Sequence, residues 1–303
     1  MRRSPLFGNL LRLSLAALGA CLTSAAAEAQ PFFADGFESG NSLAWQSVNE
    51  VPPLTPADSY RTSQLLLRDP HVFVNIPIFG CFDFTDNNLP LGLGPSFNAQ
   101  IATAISTDAD GDGMLDLSLL LLGRPFSPTA SDFRLDTASG LCPAPAPPTT
   151  CARDPATVPQ THHYSAQPAG LCLDVVPGTT SGYSPAVTAP AASCFVTVAR
   201  NLSLEGIGVP LPLLAVQMGA TFVGNPATSL SPGLLRGFLT EAAANAILLP
   251  ANVPIVGGQP LSILLPGGQG NCANHDARDT FEAQSGWWFY FNSTAVPTPW
   301  TGP

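Results

Sequence analysis

The residues of this 303-residue chain that are best suited to chemistry are four aspartates in the segment 108–116, which reads D-A-D-G-D-G-M-L-D. Calcium prefers oxygen ligands, and carboxylates at every second position can converge on one ion. Gly113 permits the sharp turn that wraps the chain around the ion. Without a cation, aspartates this close together would repel one another. The segment therefore predicts a Ca²⁺ site whose ligands are the side chains of Asp108, Asp110, Asp112 and Asp116 and the main-chain carbonyl of Met114.

These nine residues resemble the D-x-D-x-D-G-x-x-D calcium loops of EF-hands and thrombospondin type 3 repeats. The resemblance implies that Asp116 acts as a ligand either directly or through a water molecule. The chain departs from the EF-hand pattern at position twelve, where Leu119 replaces the bidentate glutamate. We therefore expect a weak structural site, with a Kd on the order of 10⁻⁴ to 10⁻³ M as in extracellular modules. The alternative is a solvated Asp-Gly turn that binds no ion.

Motifs for catalysis are scarce in this sequence. All 11 basic residues are arginines, so no lysine can act as a nucleophile or base, and no G-x-S-x-G motif is present. The adjacent His162 and His163 are expected to be solvent-exposed. The leading expectation is a non-catalytic protein with a structural or binding role. The alternative is a secreted hydrolase acting on polysaccharide, lipid or peptide, whose catalytic residues meet only in the fold. An apolar cavity behind the predicted helix would instead favour lipid or small-molecule binding.

Residues 1–29 predict a cleavable signal peptide. Arginines begin the segment, a short apolar run covers Leu13–Ala20, and Ala27-Glu28-Ala29 offers a small-x-small cleavage site before Gln30. The alternative is a lipobox ending at Cys21, which would anchor the chain through a lipid. Both readings predict export from the cytoplasm, the first of a secreted or periplasmic protein and the second of a protein that is lipid-anchored at Cys21.

The segment 30–58 is expected to be an extended N-terminal stretch that precedes one β-rich domain at 59–303. Its residues 35–40 read D-G-F-E-S-G and resemble a segment that recurs in many bacterial secreted proteins of unrelated function. This resemblance implies secretion and no particular activity. In some β-sandwich sugar-binding modules a similar stretch helps to hold calcium, which makes Glu38 a further candidate ligand.

Six cysteines remain once Cys21 is set aside, and an even number suits up to three disulfides in an oxidising compartment. They are Cys81, Cys142, Cys151, Cys172, Cys194 and Cys272. The spacing favours pairing Cys142 with Cys151 and then Cys172 with Cys194, within a Cys- and Pro-rich loop excursion over 142–192.

Charge and hydropathy narrow the range of partners. The formal net charge of −10 argues against nucleic acid and anionic lipid surfaces, and it suits divalent cations. No later segment has 18 uninterrupted apolar residues, so no transmembrane insertion is expected. The expected partners are calcium and an extracellular glycan, lipid or protein.

The 32 prolines and 27 glycines break the chain into short apolar runs, which is typical of a mainly β protein. We expect a β-sandwich-like fold with one packed α-helix and disulfide-tied loops. The predicted helix runs from Ser231 to Leu248, with apolar residues at helical spacing. Strands are predicted at Val72–Phe84, Phe97–Ile105 (a stretch also compatible with a helix), Leu115–Leu122, Leu171–Val176, Cys194–Leu204, Leu213–Val223 and Gly286–Thr294.

Overall fold

The computed structural model describes residues 58–124, 126–129, 132–204, 209–251 and 253–302. The predicted signal peptide, the lipobox at Cys21, and the D-G-F-E-S-G segment with Glu38 lie outside the described residues.

The described chain is built mainly from β-strands. In its first half they are β1 (Asp58–Asp69), β2 (Phe73–Ile76), β3 (Gly80–Asp83), β4 (Leu119–Gly123), β5 (Phe133–Leu141), β6 (Cys151–Arg153) and β7 (Gln160–Gln167). In its second half they are β8 (Cys194–Thr197), β9 (Arg200–Leu204), β10 (Leu211–Val223), β11 (Ser229–Thr240), β12 (Asp279–Phe281), β13 (Gln284–Pro297) and β14 (Trp300–Thr301). The α-helices are α1 (Phe97–Ser106) and α2 (Glu241–Ala246).

Eight of these strands close into an antiparallel barrel in the order β5-β4-β1-β13-β11-β10-β8-β7. The ring closes where Phe133–Thr137 of β5 pair with Gln160–Tyr164 of β7. The prediction of a mainly β chain is confirmed, but the prediction of a β-sandwich is wrong. A sandwich needs two separate sheets with open edges, whereas the pairing of β5 with β7 joins the two ends of this eight-strand order.

The predicted helix over Ser231–Leu248 is also wrong for most of its length. The chain continues as β11 to Thr240, and only Glu241–Ala246 are helical, with the Thr240 side chain accepting a hydrogen bond from Ala243 N–H. The apolar residues recur at helical spacing because both faces of β11 are buried. Leu235 and Leu239 belong to the main interior cluster, whereas Leu234 and Phe238 face a second cluster on the opposite side.

The stretch Phe97–Ile105, for which a strand or a helix is predicted, forms α1. Ser96 caps this helix, and its side chain accepts a hydrogen bond from Ala99 N–H at 3.2 Å. Ile101 and Ile105 turn inward and join the main interior cluster. The described helices are ten and six residues long, so neither is long enough to cross a lipid bilayer.

Three disulfides join the six cysteines in pairs, as the cysteine count predicts. Cys142 pairs with Cys151 and Cys172 with Cys194, which confirms both predicted local pairs. The third bond joins Cys81 to Cys272, far apart in sequence. The predicted loop excursion at 142–192 contains β6 and β7, and the predicted strand at Leu171–Val176 is irregular except for a bridge from Leu171 to Ala191.

Candidate ligand cavity and candidate metal loop

A cavity of about 410 Å³ lies inside the barrel. All eight barrel strands, together with the neighbouring β9, supply residues to its wall. Its apolar lining includes Leu65, Leu119, Leu121, Phe195, Met218, Leu230 and Leu235. Its polar lining includes Thr62, Thr137, Ser139, Gln160, Asn201 and Ser293.

The cavity follows from a change in side-chain size along the inner face of β13. Alternate residues of a strand share a face, and here the sequence passes from Phe289 and Phe291 to Ser293 and Ala295. The two phenylalanines are buried in the main interior cluster, whereas Ala295 belongs to a smaller cluster of buried side chains. Small residues between the two clusters therefore leave space that large side chains would fill.

The cavity is lined on one side by the unpaired edge of β9. This strand pairs with β10, and within the described chain it forms no ladder with β7. Arg200 of β9 spans the gap between β9 and β7, since its guanidinium donates to the carbonyl oxygen of Thr161 and to Oε1 of Gln160. Lining residues on both sides of this gap, such as Val158 and Asn201, are exposed to solvent. We infer that this gap is the entrance.

The wall of the cavity is chemically neutral. No charged side chain is among the described residues that line it. The side-chain hydroxyls of Thr62, Ser139 and Ser293 form no hydrogen bond with any described part of the chain. Each of these three residues lines the cavity. A hydroxyl without a protein partner can donate to or accept from a polar atom that enters the cavity.

His162 lies on β7 beside this wall and is not solvent-exposed as the sequence analysis expects. It is 2% exposed and its Nε2 lies 3.2 Å from the Thr137 hydroxyl. Burial, assisted by the positive charge of Arg200, lowers the pKa of His162 to about 4. The ring is therefore neutral near pH 7. By contrast, His163 is exposed, as expected, and pairs with Asp132 at 3.0 Å.

The aspartate loop brings together three of the five predicted calcium ligands. Carboxylate oxygens of Asp108, Asp110 and Asp116 lie within 4.8 Å of one another. The Asp112 carboxylate instead accepts a hydrogen bond from Met114 N–H at 2.7 Å. Met114 forms an isolated antiparallel bridge with Pro143. Three hard oxygen donors in an exposed turn are chemically suited to Ca²⁺.

Backbone N–H groups organise this loop around Asp108. Its two carboxylate oxygens accept hydrogen bonds from Gly111 at 2.7 Å, Asp112 at 3.1 Å and Gly113 at 2.8 Å. Desolvation alone would raise the pKa of Asp108, but these hydrogen bonds outweigh it and lower the pKa. Gly111 and Gly113 both have positive φ, at 79° and 88°, which a residue with a side chain adopts at a cost.

A histidine–aspartate pair elsewhere tests the hydrolase alternative. His71 Nδ1 lies 2.6 Å from Asp83 Oδ2, a contact that sequence reasoning missed. Such a carboxylate can orient a histidine that acts as a catalytic base. The other ring nitrogen, Nε2, must then be able to contact a substrate. His71 Nε2 is buried, and the ring stacks on Tyr183 with centroids 3.8 Å apart. The pair therefore joins surface segments and is not open to a substrate.

The cavity residues were not identified from the sequence, although a signal was present. Thr62 and Ser293 are small polar residues that occur on the apolar face of otherwise apolar strands, where a large side chain would be expected. Comparison of the chain with protein-family models, curated proteins and solved structures gives no match. The geometry of these sites is therefore the basis for assigning a function.

Proposed function

We propose that this chain is a non-catalytic binding protein that holds a small apolar molecule inside its β-barrel. The observation that carries the proposal is the interior cavity of about 410 Å³, because ligand pockets usually measure about 300 to 1,000 Å³. An eight-stranded barrel is also wide enough to hold one small ligand. Among glycan, lipid and protein partners, the leucine-rich wall favours a lipid-like small molecule.

We propose further that the protein works outside the cytoplasm, as a secreted or periplasmic protein. The three disulfides support an oxidising compartment, and the signal-like residues 1–29 supply a route to it. Anchoring through a lipid on Cys21 is the alternative form of the same proposal.

Calcium is proposed to stabilise the connection between α1 and the barrel. The aspartate loop lies between α1 and β4, and β4 contributes Leu119 and Leu121 to the cavity wall. Leu115 N–H at the end of the loop donates to the carbonyl oxygen of Cys142 at 2.9 Å. An ion held by Asp108, Asp110 and Asp116 would reduce the repulsion among their carboxylates at this junction.

Titration with a neutral apolar dye, N-phenyl-naphthylamine, tests the binding function. The dye fluoresces more strongly in apolar surroundings, so the wild-type protein should give a saturable increase in emission. Thr62→Phe and Ser139→Phe each place a ring in the cavity and should remove that increase. Far-UV circular dichroism and intact disulfides would show that both variants fold.

Ser63→Phe is the matched control for this titration. Ser63 follows Thr62 in β1, but it is exposed and its hydroxyl lies 3.3 Å from the carbonyl oxygen of Thr294, outside the barrel. This variant should bind the dye as the wild type does. Equal binding by the cavity variants and the control would place the dye elsewhere and contradict the proposal, as would the absence of saturable binding in the wild type.

A further inference from the structure

We propose that the ligand of the barrel is an uncharged, lipid-like molecule that carries a hydroxyl or carbonyl group. This inference rests on the proposed binding function and adds the chemical class of the ligand. It requires two properties of the cavity: an environment that disfavours a charge, and polar groups available to a neutral oxygen atom.

The first property follows from the composition of the wall. The described lining residues are all neutral, so an ionised head group that entered would lose its hydration without gaining an ion pair. The net charge of −10 for the whole chain would also oppose the entry of an anion.

A cation beside the cavity does not change this conclusion. Arg200 lies beside the wall, but both of its terminal nitrogens already donate to β7, one to the Thr161 carbonyl and the other to Gln160 Oε1 at 3.2 Å. A carboxylate would have to displace these bonds to pair with the guanidinium. His162 stays neutral near pH 7 because burial lowers its pKa to about 4, so it adds no positive charge.

The second property follows from three hydroxyls on neighbouring strands. Thr62 on β1 pairs with Ala295 of β13, and Ser293 lies two residues before Ala295 on the same inner face. Ser139 lines the wall from β5, where it pairs with Leu119 of β4. Within the described chain none of these hydroxyls has a protein partner, and each can donate to or accept from a ligand oxygen.

Gly233 keeps one of these hydroxyls accessible. It pairs with Ser293 across β11 and β13, and a Cβ atom on this glycine would lie 2.3 Å from Ser293 Oγ. Any larger residue at this position would therefore press on the hydroxyl. The glycine preserves room at a point where the wall is polar.

Competition between two ligands with the same hydrocarbon chain tests the inference. Decanol and decanoate would each be titrated at pH 7.5 against protein loaded with N-phenyl-naphthylamine. Decanol should displace the dye at a concentration about tenfold or more below that of decanoate, which corresponds to about 1.4 kcal/mol or more. Equal or stronger displacement by decanoate would overturn the assignment of an uncharged ligand.

Variants that remove one hydroxyl test the polar contacts. Thr62→Val and Ser293→Ala should each weaken decanol binding by roughly three- to tenfold, and by more than they change dye binding, because one hydrogen bond to the decanol hydroxyl is lost. Ser63→Ala, outside the barrel, should change neither. If decanol binds equally to all variants, the assigned contacts are wrong although the binding function stands. If the wild type binds neither dye nor decanol, the binding function itself fails.

Discussion

In the aspartate loop, the sequence predicts the positions of some side chains correctly and those of others not. The spacing of Asp108, Asp110 and Asp116 in the sequence predicts convergence, and in the fold their carboxylate oxygens do approach one another. The position of Asp112 was harder to predict, because its carboxylate bonds to the backbone of Met114. The hydrogen-bond partner of the Asp112 carboxylate depends on the local path of the backbone and cannot be read from the spacing of the aspartates.

Calcium should raise the melting temperature of the protein, and Asp110→Ala should remove that increase. The variant loses one of three converging oxygens, so an ion would be held too weakly to affect unfolding. Differential scanning calorimetry in millimolar calcium and in chelator measures the effect. Asp132→Asn is the control, since Asp132 is an exposed acid that pairs with His163 outside the loop. Identical melting of the wild type in calcium and in chelator would refute the site.

Asp69 gives a prediction about pH. It is 2% exposed, and burial raises its pKa from 3.8 to about 6 even though Ser181 N–H donates to it at 2.7 Å. Because the pKa of Asp69 is higher in the folded than in the unfolded state, the protonated carboxyl contributes to the free energy of unfolding. That contribution is fully present below pH 3.8 and is lost as the pH rises through about 6.

The wild type should therefore lose stability relative to Asp69→Asn between pH 4 and pH 7, by on the order of 2 to 3 kcal/mol. Urea unfolding of both proteins at each pH measures the difference. Asn keeps an oxygen that can accept the Ser181 hydrogen bond, so the comparison isolates the ionisation. A difference between the two proteins that does not depend on pH would contradict the assigned pKa.

At the scale of elements, strands buried on both faces were the hardest to predict. β13 was predicted well, because Trp287, Phe289 and Phe291 alternate with Trp288 and Tyr290, and the two sets pack into different clusters. The neighbouring strand β11 was mistaken for a helix because its apolar residues fill both faces. A continuous apolar run does not distinguish a buried strand from a buried helix by periodicity alone.

The disulfides should differ in their contribution to stability. Cys81 and Cys272 are 191 residues apart, whereas Cys142 and Cys151 are 9 apart. Loop-closure entropy gives about 5 kcal/mol for the long loop and about 2.5 kcal/mol for the short one. Replacing both members of each pair by Ala, in two separate variants, and measuring unfolding in guanidinium compares them. A larger loss from the short loop would contradict this ranking.

At the scale of the whole molecule, the barrel depends on one pairing that local sequence does not reveal. Inward and outward residues alternate in the same way in a sandwich and in a barrel, so the strand pattern fits both. The ring closes through Phe133–Thr137 and Gln160–Tyr164, in segments separated by the disulfide loop of Cys142 and Cys151. The cavity is a consequence of that closure, and for this reason its residues could not be assembled from the sequence.

The central claim is that a small apolar molecule binds inside the barrel. Intermolecular nuclear Overhauser effects between bound decanol and methyl-labelled protein test it most directly. We predict contacts to the methyl groups of Leu119, Met218 and Leu235, which line the cavity. Contacts confined to exposed methyl groups such as those of Ile78 and Leu91 would place decanol on the outer surface and contradict the account.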